Sequence, residues 1–389
     1  MKHLTRSLIA GILLALMLAG CAAPAENSPA ASAAPDQSAA PEAPAAPEEP
    51  PAGEKKLVYL FIKNRGDLSY WDSMAEGGDR AAADFAQKAD IRVIETTADL
   101  QANLTAMYEA ADAGTNMIVT ASDYKDNLVQ IAKEYPEIAM VLISENVVKE
   151  APNIYGIDFQ SSQGAFLAGI VAADVASQGV EGSSKSKTIG FIGGMDESVV
   201  IQEFFLGYIQ GAKYYDPETK IVYNYVGGWN DPDTARTQAL AQYNDAKADI
   251  IFACAGGSGN GVHTAAAQAN KYVIGVDKDQ TLMYEEDKAI QSRFVTSVLK
   301  LNNNAVYNVI QKFVDGEPVP FGVYDILGLE SNAVGLVEND LFNQYVSDKG
   351  RAALEQAKKD IVDGKVQIVG AIGKEQTEIK ALIEQYLNQ

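Results

Sequence analysis

Short runs of apolar and β-branched residues recur along the chain, separated by stretches in which apolar positions return every three or four residues. The runs are "KLVYLFIK" (56–63), "IRVIET" (91–96), "MIVT" (117–120) and "IAMVLI" (138–143), then "TIGFIGG" (188–194), "KIVYNYVG" (220–227), "DIIFACAGG" (249–257) and "YVIGVD" (272–277). Near-continuous apolar strands alternating with amphipathic segments such as "GGDRAAADFAQKA" and "DPDTARTQALAQYNDA" predict an α/β fold, with parallel sheets covered by helices on both faces. Asp231 followed by Pro232 predicts a helix start, because the carboxylate can cap free amides and proline at the first helical position loses no bond. Four strands fall before about residue 160 and four after it, which predicts two similar α/β lobes with a cleft between them. In such sheets ligands bind beyond the carboxyl ends of the strands, so the residues just after each run become the candidates.

The first 54 residues lie outside this pattern. "MKHLTRSLIAGILLALMLAGC" carries Lys2 and Arg6, then an apolar stretch too short to span a bilayer comfortably, then small residues ending at Cys21, which reads as an export signal over 1–20. Residues 22–54 are nearly all Ala, Pro, Glu and Ser, with no aromatic or β-branched residue, and read as a semi-stiff disordered linker. About 335 residues remain, enough for two domains. The formal charge of −21 becomes −23 without Lys2 and Arg6, which makes nucleic acid a poor partner. Cys254 is the only cysteine besides Cys21, and it sits in an apolar run as small buried residues often do.

The loop "GGSGNG" (256–261) invites three chemical readings, and spacing removes each. A phosphate-binding P-loop needs Lys and Ser or Thr after Gly261, where Val262 and His263 stand; a dinucleotide fingerprint from Gly257 needs glycine at Val262; a nucleophile elbow on Ser258 needs glycine at Asn260. His263 is the one histidine beyond the signal, so no serine hydrolase triad can be assembled beside it. What survives is a backbone edge of small residues that a ligand can approach closely, or a tight turn with no ligand at all. Asp277, directly after an apolar run, could grip vicinal hydroxyls or simply cap a turn. Lys300 ends "VTSVLK", a short strand or crossover, and could reach the cleft, pair with Asp277 or lie in solvent. "NRGDLSYWDSM" gathers Asp67, Ser69, Tyr70, Trp71 and Asp72 after the first strand, where the rings could stack on a planar ligand or pack locally. "VTASDYKDN" offers Asp123 and Asp126, and of Phe204 and Phe205 one is expected to face the cleft. Carboxylates, aromatics and one lysine, with no His/Cys cluster and no arginine clamp, suit a neutral, planar, hydroxylated ligand, with no metal or cofactor expected.

"FIGGM…IQEFFLGYIQGAK", "YVGGWNDPDTAR", "DIIFACAGGSGNGV", "YVIGVDKDQ" and "TSVLK", with "DFQSSQGAFLAG" at 158–169, together resemble the basic membrane protein family of ABC-transporter substrate-binding lipoproteins, which includes bacterial purine nucleoside receptors. The resemblance covers nearly all of 56–370. It implies the type I periplasmic binding protein fold, two doubly wound parallel-sheet lobes joined by three crossovers near 158–163, 294–298 and 322–328. The lobes would be 55–160 plus 296–324 and 161–295 plus 325–389. "LAGC" resembles a lipobox, implying that Cys21 is lipidated and anchors the chain outside the cell membrane. By the same resemblance Tyr70 and Phe204 would stack on the base, Asp126 would read its edge, Gly257, Asp277 and Lys300 would hold the ribose, and Asp67 would open the first-lobe motif. Trp71 stands where that motif commonly has Asn, so the ribose side matches better than the base side. The implied partners are a nucleoside and the membrane subunits of an ABC permease, and a monomer is expected. A surface nucleoside hydrolase, or a binder of a sugar or signalling ligand, are the alternatives.

Overall fold

The computed structural model describes residues 55–144 and 151–389. The signal, Cys21 and the linker therefore lie outside the described residues. Two sheets of six strands carry the fold. The first contains β1 (Lys56–Ile62), β2 (Ala89–Glu95), β3 (Met117–Ala121), β4 (Ala139–Ile143), β5 (Ile154–Phe159) and β11 (Tyr324–Leu327). The second contains β6 (Thr188–Gly193), β7 (Lys220–Tyr225), β8 (Ile250–Cys254), β9 (Tyr272–Asp277), β10 (Phe294–Lys300) and β12 (Val334–Leu336). Their orders are β11-β5-β4-β3-β1-β2 and β12-β10-β9-β8-β6-β7, and every pairing is parallel except β10 with β12. The order in which strands are added thus reverses once in each sheet, between β1 and β3 and between β6 and β8, and leaves a crevice at that switch point.

Helices α1 (Tyr70–Asp84), α2 (Leu100–Asp112), α3 (Lys125–Glu134), α4 (Ser161–Gln178), α5 (Val199–Tyr215) and α6 (Pro232–Asn244) connect the strands, followed by α7 (Gly259–Ala269), α8 (Lys288–Gln291), α9 (Asn302–Val314), α10 (Asp340–Tyr345), α11 (Asp348–Val362) and α12 (Gln376–Leu387). All of β3, β4, β5, β6, β8 and β9 is buried, which is why their sequences read as unbroken apolar runs. Alternate residues still choose opposite faces: Phe191, Phe252 and Ile274 join the core under α4 and α5, whereas Ile192, Ile251 and Val273 join the one under α6 and α7. The expected cap of α6 forms, with Asp231 accepting from the Thr234 amide at 3.0 Å and Pro232 in the first turn.

The chain passes between the lobes three times. β5 ends at Phe159 and α4 already packs in the second core; β10 belongs to the second sheet through Lys300 and α9 returns to the first core; β11 closes the first sheet before β12 joins the second. An expected lobe boundary at 295/296 therefore falls inside β10, and one at 324/325 falls inside β11. The strands β5 and β10 and the short β11 and β12 are absent from the apolar pattern of eight runs, although "VTSVLK" marks most of β10, and α1 starts earlier than "GGDRAAADFAQKA" suggests and ends at Asp84.

The α4–α5 contact is made backbone to backbone. A Cβ on Gly211 would lie 1.8 Å from the Phe166 carbonyl oxygen, one on Gly207 would lie 2.1 Å from that of Ser162, and one on Gly169 would lie 2.2 Å from that of Tyr208. Three glycines thus hold the helices at a separation no side chain permits. Gly211→Val is expected to lower unfolding free energy by about 1–3 kcal/mol or more, as overpacking does, measured by urea denaturation; an unchanged midpoint would show that the helices can separate at no cost.

Candidate functional site

The chain leaves several strands through residues of positive φ. Gly66 (φ 95°) and Leu68 (55°) follow β1, Thr97 (58°) follows β2, Ser144 (68°) follows β4, Gly256 (55°) follows β8, and Asp277 (68°) ends β9. Four of these six are not glycine, and such strain persists only where surrounding contacts enforce it, which is common at ligand sites. Gly66, Ser144, Gly256 and Asp277 line a cavity of about 400 Å³ that lies at the carboxyl ends of both sheets. That volume falls in the range of small-molecule sites.

From the first lobe the cavity receives Lys63, Asp67, Tyr70, Trp71, Asp123 and Ser144, and from the second Phe204, Trp229, Cys254, Gly257, Asp277 and Lys300. Seven of the eight expected ligand contacts are therefore brought together. Asp126 is the exception: Ser122–Tyr124 forms a 3-10 turn that puts Ser122 and Asp123 on the cavity wall, and Asp126, in the first turn of α3, is exposed outside it. A choice between two aspartates three residues apart depended on that turn.

Asp67 reaches the wall in a structural capacity. Its carboxylate accepts from the amides of Ser69 (3.0 Å), Trp71 (2.9 Å) and Asp72 (3.0 Å), and so closes the N-terminus of α1. Asp72 in turn accepts from the Gly66 and Leu68 amides at 2.8 and 2.9 Å, fixing the loop that presents Tyr70. Burial pushes the Asp67 carboxyl up, against the pull of those three amides. Lys63 and Asp123 pair with each other on the same wall.

Two buried charges are left for a ligand. Asp277 is 7 % and Lys300 1 % exposed. They do not bond directly: Lys300 Nζ donates to Ser144 Oγ at 2.9 Å and stands 4.9 Å from the Tyr70 ring centre, while Asp277 accepts from the Ser69 hydroxyl. Burial raises the Asp277 carboxyl, opposed by the Lys300 charge and the Ser69 hydrogen bond. Burial lowers the Lys300 ammonium, opposed by Asp158 and Asp277. Both contacts cross from one lobe to the other, and so do Lys278–Glu76 at 2.7 Å and Gln280 Nε2 to the Leu68 carbonyl at 3.3 Å. The rims are closed on each other.

The aromatic walls differ in how far they are already used. Trp71, 7 % exposed, packs on Tyr70 and Tyr124 within its own lobe. Phe204 lines the cavity with its ring edge-on to Phe252, and Phe205 turns away to stack on Phe191 at 4.4 Å. Trp229, which sequence reasoning did not select, is 42 % exposed on the same cavity. Its signal was available, since "YVGGWNDP" follows a strand as the selected loops do. Ser144 and Lys63 follow strands too.

The glycine loop owes its composition to packing as much as to the cavity. A Cβ on Gly261 would lie 1.9 Å from the Pro232 carbonyl oxygen, and one on Gly257 2.8 Å from Asn230 Oδ1, so these glycines admit the neighbouring loop and α6. Ser258 donates to the Gly228 carbonyl at 2.9 Å and accepts from the Asp231 amide at 2.8 Å, tying the two loops together. His263 is fully buried between Tyr284 and Phe294, with Nδ1 3.0 Å from the Tyr284 hydroxyl.

A cavity between two doubly wound lobes, walled by aromatics and crossed by two buried charges, is matched by a sequence comparison. The model of the family described as "ABC transporter substrate-binding protein PnrA-like" matches residues 55–367. The chain belongs to this family. The PnrA-like chain is 32% identical to the ABC transporter nucleoside-binding protein BmpA of Lactococcus lactis over 61% of its own length and 66% of that protein's. It is 30% identical to basic membrane protein D of Borreliella burgdorferi over 76% and 82%. A solved ABC transporter solute-binding protein from Aeropyrum pernix superposes with a TM-score of 0.72 at 25% identity, covering 86% of this chain and 97% of that one. The family is one of extracytoplasmic substrate-binding proteins, with a small-molecule ligand and an ABC permease as partner, and the hydrolase alternative is set aside. Among the described residues no helix is long and apolar enough to cross a membrane.

Burial lowers the His263 imidazole to about 3, against 6.5 for the free side chain. A depressed folded-state value stabilises the protein above the unfolded value and loses that contribution as the pH falls from about 6.5 towards 3, at up to about 1.4 kcal/mol per pH unit. Urea unfolding of the wild type and of His263→Asn at each pH should show the wild type falling more steeply in that window. Parallel curves would mean that the ring charges in place.

Proposed function

We propose that this protein binds a nucleoside between its lobes and delivers it to the permease, as a monomer tethered by a lipidated Cys21 to the outer face of the cell membrane. The observation that carries the ligand class is the pairing of aromatic walls with Asp277 and Lys300, two buried charges whose partners are exchangeable hydroxyls. A ribose offers vicinal hydroxyls. One can replace the Ser69 hydroxyl on Asp277 while another accepts from Lys300, so the charges keep their partners and the lobes stay bridged. The base then lies towards Tyr70, Trp71 and Phe204, with Asp123, in place of Asp126, available to accept from a ring N–H or an exocyclic amine. The name of the Lactococcus relative supports the same ligand class. Asp67, bound to three amides, acts here by presenting Tyr70.

With Lys63 and Asp123 paired to each other, a phosphate would meet Asp67 and Asp277 against Lys300 alone, so nucleotides are disfavoured. Isothermal titration of the ligand-stripped folded domain with nucleosides, nucleotides, free bases and sugars tests the class. Tight binding of at least one nucleoside and none of nucleotides is expected; no heat with any nucleoside refutes it.

Asp277→Ala removes hydrogen bonds to a charged group, about 1.5–3 kcal/mol in such cases, so affinity for ribosides is expected to fall roughly ten- to a hundred-fold in the same titration while any affinity for free bases stays. Equal losses for both would remove Asp277 from the ribose.

A further inference from the structure

The family match ends at residue 367, and the fold continues through α12. This last stretch, 368–389, is docked on α5 of the second lobe: Ala371 and Ile379 are fully buried, and Ile383 nearly so, in the core that holds Phe204 and Phe205. Polar side chains of α5 fix its register. Gln210 donates to the Val369 carbonyl at 2.8 Å and accepts from the Val369 amide at 3.0 Å, while the Glu203 carboxylate accepts from the amides of Ala371 and Ile372. Gln376, the first residue of α12, then pairs with Gln202 in both directions, at 2.7 and 3.1 Å, and donates to the Glu197 carbonyl at 3.0 Å. Gln202 also donates to the Asp196 carbonyl at 2.7 Å.

These last bonds land on the segment that builds the cavity wall. Ser198, Val200, Ile201 and Phe204 line the cavity from the end of the loop after β6 and the first turns of α5. That helix start has little of its own to hold it. Ser198, at the cap position, makes no side-chain bond to the free amides, no acidic residue stands in the first turn, and Val199, Val200 and Ile201 are β-branched, which disfavours helix. Its position is set from outside, by Gln202 and Gln376 on the carbonyls of Asp196 and Glu197.

We infer that the C-terminal segment is a brace for the second-lobe wall of the cavity, with Gln376 the positioning residue that holds the 196–198 loop and the start of α5 in place. Gln376 does not line the cavity. It acts through Gln202 and Glu197, so its loss leaves every group that faces the ligand chemically intact and loosens the wall that carries Ile201 and Phe204. A loosened wall releases its ligand sooner, so the effect falls on the dissociation rate, where most affinity differences between variants of one site arise. The inference rests on the nucleoside reading only for the ligand used to measure affinity.

Gln376 is only half-buried, so Gln376→Ala is expected to fold, and Thr377→Ala at the exposed next position serves as a control. Both are compared with the wild type by hydrogen–deuterium exchange without ligand, by urea unfolding, and by the association and dissociation rates of inosine, adenosine, cytidine and uridine. In Gln376→Ala, exchange is expected to quicken in residues 194–204 and nowhere else in the second lobe outside the brace itself, with the unfolding midpoint close to that of the wild type. Nucleoside affinity falls roughly two- to thirty-fold, the range of effects carried by residues that touch no ligand, and it falls through faster dissociation. Thr377→Ala matches the wild type throughout. Unchanged exchange in 194–204, or an unchanged dissociation rate, overturns the brace and leaves the nucleoside reading standing. Faster exchange over the whole second lobe together with a lower midpoint also overturns it, because Gln376 then serves stability alone. If the wild type binds none of the nucleosides, that reading falls, and the brace stands if exchange quickens in 194–204 alone and falls otherwise.

Discussion

The structure turns on two opposite charges buried at the ends of neighbouring strands. β9 and β10 run parallel with Asp277 opposite Leu299, one residue before Lys300, so the register itself delivers both groups to one place. A charge taken out of water costs several kcal/mol unless polar partners replace the solvent. Here each partner is a hydroxyl of the other lobe, Ser69 for Asp277 and Ser144 for Lys300. Closure of the lobes and satisfaction of the charges are thus the same event. Opening the cleft exposes both to water, and closing it on a ligand requires that ligand to offer polar groups in the right places.

The rest of the cavity prepares for that event. Left-handed residues after β1, β2, β4, β8 and at the end of β9 turn the chain sharply away from the sheets, so that side chains leave the strand ends and face the opposite lobe. Other charges on the wall are neutralised within their own lobe, Asp67 by the amides of α1 and Lys63 by Asp123. What remains open is an aromatic wall and a pair of bridging charges, which together favour a neutral molecule with a flat part and a hydroxylated part.

Much of this could be read in the chain. Unbroken apolar runs report strands buried on both faces, and the rule that ligands meet the carboxyl ends of such strands picked out Tyr70, Gly257, Asp277 and Lys300 before any coordinates. The failures have local causes. Asp126 rests on the resemblance alone, whereas a single 3-10 turn, invisible to periodicity, puts Asp123 on the cavity wall and leaves Asp126 outside it. Trp229 escaped because its segment also reads as a turn leading to a capped helix, although it follows a strand as the selected loops do, and the packing on Gly194 and Gly256 shows how the ring is held. The glycines of 256–261 looked like a ligand edge; contacts with Asn230 and Pro232 show that two of them answer to neighbouring backbone and side chain. β11 and β12 are too short to carry a pattern, and β12 runs antiparallel at the edge of its sheet.

The most direct test of the account is native mass spectrometry of the protein as purified from cells, since a closed cavity with bridged charges should retain its occupant. The account predicts a noncovalent adduct with the mass of a nucleoside, lost in Asp277→Ala. An adduct with the mass of a nucleotide or of a free sugar, or a nucleoside retained equally by Asp277→Ala, would contradict it.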